Sequence, residues 1–178
     1  MHGMSGKLGD LLVFRQWFGR TIAGKRPRKV ETISAAQQSV RDKFQKATVY
    51  ASAALADAAT KQAYKDKTSP GTTAFNLALA DFFIAPSIGK IDPHGYTGAA
   101  GGKIKIEATD DFMVKSVNVK IAKADGTLIE QGAATADPDG LNWWYTATQA
   151  NASLSGTKIT VTAMDLPANV TVKDEILP

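Results

Sequence analysis

The side chains able to do chemistry in this chain are few. It has no cysteine, and its two histidines, His2 and His94, stand alone, so thiolate nucleophiles, thiolate zinc sites, iron-sulfur clusters and disulfides are excluded. Asp110, Asp111, Asp125, Asp137, Asp139 and Asp165 fall at expected strand ends, where carboxylate oxygens could gather around calcium. No calcium-loop spacing joins them, and aspartate at such positions is a turn former. The reading is therefore of no metal ligands and no cofactor. Glu107 and Glu130 are isolated strand residues, and His94 sits between Pro93 and Gly95 in a linker-like stretch. A hydrolase needs a nucleophile, a base and an orienting group in one constellation; with no such set, no catalytic residue is assigned and the chain reads as non-enzymatic. Asn151-Ala152-Ser153 and Asn169-Val170-Thr171 match the glycan acceptor pattern, which carries little meaning without a secretory context.

Two groups of side chains suit binding better than catalysis. A basic patch of Arg15, Arg20, Lys25, Arg26, Arg28 and Lys29 surrounds Trp17 and Pro27. Such a patch could hold phosphates by charge while the indole stacks on a base, although no recognition helix or RNA-binding motif accompanies it. Trp143 and Trp144 are adjacent, and neighbours in a strand face opposite sides. One ring is expected in a core and the other packed on a neighbouring surface, with outward display to a carbohydrate as the alternative.

These side chains are positioned by elements of two kinds. Residues 1–33 read as a glycine-punctuated β arm, with runs Leu11–Arg15 and Arg20–Ala23 joined by a turn at Gln16–Gly19. A lone two-stranded hairpin is marginal in water, so Leu12, Phe14, Trp17, Phe18 and Ile22 are expected to need a partner surface, either the rest of this chain or a neighbouring subunit. Residues 34–87 read as two or three helices. Ser34 and Gln37 form a capping box, and Val40, Phe44, Ala47, Ala51 and Ala54 repeat at helical spacing. Asp57 opens a second helix, and Thr72 or Thr73 caps a third containing Phe75, Leu79, Phe82 and Phe83. Residues 88–102, rich in glycine, read as a linker. From residue 103 to 178 the period falls to two, in Ile104/Ile106, Val117/Val119/Ile121 and Ile159/Val161/Ala163. Turn signals at Asp125-Gly126 and Pro138-Asp139-Gly140 separate the runs, as in a small antiparallel β-sandwich. The expected class is α+β: a β arm, a helical unit, then the sandwich.

Composition frames these elements. The 178 residues are 44% hydrophobic and 21% charged, which excludes a wholly disordered chain. Of 21 basic and 17 acidic residues, residues 1–90 hold 14 and 6, and residues 91–178 hold 7 and 11. A basic half beside an acidic one suits either nucleic-acid binding or head-to-tail attraction between copies. The first apolar run, Leu11–Phe14, is too short for a signal peptide, and no stretch reaches the ~18–20 apolar residues of a membrane span. Synthesis in the cytoplasm without membrane insertion is expected.

Two resemblances add to this reading. Ala108-Thr109-Asp110-Asp111 before Val117-Asn118-Val119, the Asp125-Gly126 turn, and Val161–Asp165 followed by Ala168–Thr171 make residues from about 88 to 175 resemble bacterial immunoglobulin-like domains. That resemblance implies an adhesive or decorative sandwich and transfers no site. The arm, through Ser5-Gly6-Lys7-Leu8-Gly9, Phe14-Arg15, Gly19-Arg20, Arg26-Pro27 and Ser34–Gln37 with Arg41 and Phe44, resembles short uncharacterised proteins of Bacteroidota. It departs from their pattern with Ala35 where proline often starts the helix, and the family implies no activity.

An immunoglobulin-like sandwich without a signal peptide is, by resemblance, typical of virion and phage-derived particle proteins. The expected function is a structural or assembly subunit of a phage virion, prophage-derived particle or filament, partnered by copies of itself or other subunits through the arm. Virion or extracellular-particle residence would follow. The alternative expectation is a nucleic-acid-binding protein using the basic half.

Overall fold

A computed structural model of the chain describes residues 5–9, 11–17, 19–25 and 32–178. Phe18 of the arm, and Arg26, Arg28 and Lys29 of the basic patch, lie outside the described residues. The chain divides into two compact units. One runs to Lys46 and includes Ser69–Thr72; the other comprises Ala47–Thr68 and Thr73–Pro178.

The first unit holds a three-stranded antiparallel sheet of β1 (Gly6–Leu8), β2 (Leu12–Trp17) and β3 (Arg20–Lys25), in that order. The hairpin expected from the sequence is thus joined by a third, three-residue strand. β2 and β3 pair from Leu12↔Lys25 to Trp17↔Arg20. Gly19 in the connection has φ +72°, the left-handed conformation that a tight hairpin turn demands and glycine adopts without strain.

The helix α1 (Ala35–Ala54) follows. Its N-terminus is closed as the sequence predicts: the Gln37 N–H donates to Ser34 Oγ (3.2 Å), and the Ser34 N–H donates to Gln37 Oε1 (3.1 Å). The apolar stripe of α1 is divided. Ala47 and Ala51 are fully buried in the second unit, while Val40 and Phe44 in the first are 69% and 51% exposed.

In the second unit, α2 (Ala58–Asp66) begins where the Thr60 N–H donates to Asp57 (2.7 Å), and α3 (Ala74–Asp81) where the Asn76 N–H donates to Thr73 Oγ1 (3.2 Å). Ala51, Tyr64 and Ala78 form a small core with Phe112, whose ring stacks on Tyr64 at 3.9 Å between centroids.

Eight strands follow: β4 (Ser87–Gly95), β5 (Lys103–Thr109), β6 (Val114–Ala122), β7 (Leu128–Ala133), β8 (Thr135–Ala136), β9 (Asn142–Thr146), β10 (Lys158–Asp165) and β11 (Val170–Ile176). They make two antiparallel four-stranded sheets, ordered β11-β10-β6-β7 and β4-β5-β9-β8. Alternation directs Ile104 and Ile106 of β5 and Trp143 and Tyr145 of β9 against Val117, Val119 and Ile121 of β6 and Ile159 and Val161 of β10. Fully burying such a side chain contributes roughly 1.5–3 kcal/mol, so these positions fix the register. The protein is α+β and ends in a β-sandwich. The segment read as a linker, 88–102, contributes most of β4. Its Gly89 and Pro93 hid the strand, because they fall where pairing with β5 is broken between Ile88 and Ile91 and between Asp92 and Gly95. Edge strands and bulges tolerate such residues.

Candidate functional site

In the first unit no described residue is buried. Leu8, Leu11, Trp17 and Ile22 are 62%, 78%, 61% and 45% exposed, and Leu12 and Phe14 are half-buried. Antiparallel register puts directly opposed residues on the same face. Arg15, Trp17, Arg20 and Ile22 therefore share one face of the sheet, and Leu12, Phe14 and Lys25 share the other. The described arm and basic-patch residues are intermixed on two faces, with apolar and cationic side chains on each. Among the described residues the sheet has no single apolar face, and β1 and β3 are its outer strands.

The aromatic pair is split between the two sides of β9. Trp143 is 7% exposed within the sandwich core. Trp144 is 37% exposed, donates its indole N–H to Asp137 (3.3 Å) and lies under Lys105 Nζ at 6.0 Å from the ring centroid. Glu130 is nearly buried and accepts from the backbone and hydroxyl of Thr148 (2.8 and 2.7 Å) and the Gln149 N–H (3.3 Å). Its contacts pin a turn, and with burial it helps push Tyr145 up to about 12. Glu107 lies exposed on β5. His94 is exposed and meets Asp92 through both its ring and its backbone N–H.

A feature missed by the sequence reading lies where α3 meets the sandwich. Asp81, Asp110 and Asp165 each place a carboxylate oxygen within 4.8 Å of the others. Asp81 ends α3, Asp110 follows β5 and Asp165 ends β10; Asp81 and Asp165 have no exposed surface. Asp125 and Asp139 do act as turn acceptors, toward the N–H groups of Thr127 and of Leu141 and Asn142. Asp110 and Asp165 also close local turns, but their ends of the strands converge on Asp81. Burial, reinforced by Asp110, Asp111 and Asp165, pushes Asp81 up to about 7, against the lowering influence of the Tyr64 hydroxyl that donates to it. Burial likewise raises Asp165 and Asp111 above the ordinary carboxylate range, with Asp110 adding to both. The signal that could have found this cluster is the lone charge at the end of the otherwise apolar run Leu77-Ala78-Leu79-Ala80-Asp81-Phe82-Phe83.

No family model matches the chain, and no curated protein matches it. Among solved structures, an engineered protein determined at 1.98 Å is similar over 51% of this chain and 20% of its own, at 19% identity and a TM-score of 0.33. The likeness covers a fifth of that protein, and at that score it carries no argument about fold or activity.

Proposed function

We propose that the protein is a non-enzymatic structural subunit of a particle or filament, such as a phage virion or prophage-derived assembly, and that it joins the next copy through its N-terminal arm. The observation that carries this reading is that no described residue of the first unit is buried: a three-stranded sheet and more than two turns of helix expose Leu8, Leu11, Ile22 and Val40. A sheet of this size gains stability by packing a face or extending an edge. With apolar groups on both faces and outer strands that pair no further among the described residues, it suits strand addition, in which main-chain hydrogen bonds supply affinity and side chains on either face fill pockets.

The occupant we assign is the second unit of another copy. Its edge strand β11 exposes Val170, Val172 and Ile176 beside Asp174 and Glu175, complementing an arm whose described cations are Lys7, Arg15, Arg20 and Lys25. A basic N-terminal half against an acidic C-terminal half favours head-to-tail association, which closes into a ring or continues as a filament. Outward display of an immunoglobulin-like sandwich is part of the same proposal.

The test is Leu11→Asp with Ile22→Asp in the full chain. Both positions are substantially exposed, so the secondary structure and unfolding midpoint should hold while the assembled mass falls to that of one chain. An assembly of unchanged mass would remove the arm from the interface. A second reading is favoured by one observation: Arg15, Trp17 and Arg20 share a face, the arrangement of a cationic stacking platform for single-stranded nucleic acid. Its mark is tight binding to an oligonucleotide that weakens steeply with salt, lost in Trp17→Ala.

A further inference from the structure

We infer that Asp81, Asp110 and Asp165 form a binding site for one calcium ion, which ties the end of α3 to the ends of β5 and β10. Calcium takes oxygen ligands at roughly 2.3–2.6 Å in adaptable geometry, so two ligands on opposite sides of one ion stand about 4.6–5.2 Å apart. The three oxygens, all within 4.8 Å of one another, fit around a single ion. Their number and type, all carboxylate with no histidine or cysteine, select a hard cation over zinc or copper.

The second observation is what the cluster leaves unsatisfied. The Tyr64 hydroxyl donates to Asp81 Oδ2; the Phe112 and Met113 N–H groups donate to Asp110 Oδ2 at 3.1 and 2.9 Å; and the Asn169 backbone and side chain donate to Asp165 Oδ1 and Oδ2 at 2.6 and 2.8 Å. Asp81 Oδ1 and Asp110 Oδ1 are buried with no hydrogen-bond donor, though buried polar atoms are nearly always satisfied. Asp81 itself is wholly buried. None of the three is ion-paired among the described residues. Lys67, on the same side of the unit, donates to the Phe112 carbonyl instead. A divalent cation supplies both the missing partner and the missing positive charge.

The surroundings are those of an oriented ligand set. Hydrogen bonds to Asp81 Oδ2, to Asp110 Oδ2 and to both oxygens of Asp165 hold these side chains in place, as second partners do in metal sites. Asn169 also donates to the carbonyls of Asp81, Phe82 and Ile84 at 3.2–3.4 Å, holding the α3 terminus against the β10–β11 turn. Asp110 also lines a cleft of about 500 Å³ together with Lys67, Phe112, Leu141 and Trp143.

The experiment uses the full chain stripped with EDTA and titrated with calcium chloride, read by calorimetry and thermal unfolding. Terbium luminescence excited through tyrosine provides an independent readout, since Tyr64 bonds directly to Asp81. The expected result is one calcium per chain, a higher unfolding midpoint with calcium, and a terbium signal that calcium displaces. Asp81→Asn should keep an acceptor for Tyr64 yet weaken calcium binding at least roughly tenfold, while in EDTA it is no less stable than the parent, because one of three crowded charges is gone. Asp125→Asn, in a remote turn, should bind as the parent does. Should Asp81→Asn fail to fold, Asp110→Asn takes its place. Absence of saturable binding in the parent, preference for magnesium over calcium, or an Asp81→Asn or Asp110→Asn variant that binds calcium as tightly as the parent would overturn the assignment.

Discussion

At residue scale, Asp92 on β4 shows how a local contact sets a titration. The ring and backbone N–H of His94, in that order of effect, hold its carboxyl down at about 2, with Lys90 adding a smaller pull at 3.5 Å. Because the folded-state value lies below the ordinary one of 3.8, the carboxylate favours folding. That contribution is complete above the ordinary value and is lost as pH falls through about 2. Replacing His94 by alanine should move the Asp92 midpoint upward toward the ordinary carboxylate range, measured by NMR titration of the side-chain carbon. An unmoved midpoint would remove His94 as the cause. Ala168 supplies a second test. Its φ of +68° in the β10–β11 turn is a conformation costing an L-residue roughly 1–2 kcal/mol. Ala168→Gly should therefore stabilise the protein by about 1 kcal/mol in denaturant unfolding, after glycine's extra chain entropy is set against the relieved strain.

At the scale of elements, what is legible in the sequence is what short-range chemistry dictates. Ser34 with Gln37, Asp57 and Thr73 announce three helix starts, and each side chain accepts the expected backbone N–H. Period-two alternation gives the sandwich strands because one face of each is buried. Strand β4 is not legible, since Gly89 and Pro93 imitate a linker and become tolerable only once an edge position and bulged pairing exist. The α1 stripe is legible as a stripe, but its division between buried Ala47 and Ala51 and exposed Val40 and Phe44 depends on where the neighbouring elements end. The carboxylate cluster is hidden for the same reason: Asp81, Asp110 and Asp165 are brought together by three separate elements, and no spacing in the chain encodes their meeting. Phe112, which stacks on Tyr64 and is 6% exposed, is an apolar contact of the joint between the helices and the sandwich, beside the Asn169 hydrogen bonds. Phe112→Ala should cost about 3–5 kcal/mol, read by denaturant unfolding. A cost under about 1 kcal/mol would mean that the stack does not hold the joint.

At the scale of the whole molecule, the two halves divide charge, with 14 basic and 6 acidic residues up to position 90 and 7 and 11 after it. In the proposed assembly this asymmetry steers copies head to tail, whereas strand addition and apolar contacts supply the lasting affinity. Exposed charges are screened over about 10 Å at 0.1 M salt. Salt should therefore slow growth of the assembly more than it dissolves the assembly already formed, a difference that stopped-flow scattering can resolve. Equal effects on growth and on the finished product would place the charges inside the contact.

The most direct test of the central claim is the mass of the nuclease-treated, purified chain. It would be measured by light scattering across protein concentration at two salt levels, with negative-stain images of the same samples. The account predicts regular rings, particles or filaments that persist after every nucleotide is removed and collapse to single chains in Leu11→Asp/Ile22→Asp. A parent protein that stays at the mass of one 18.9 kDa chain at every concentration and both salt levels would contradict it.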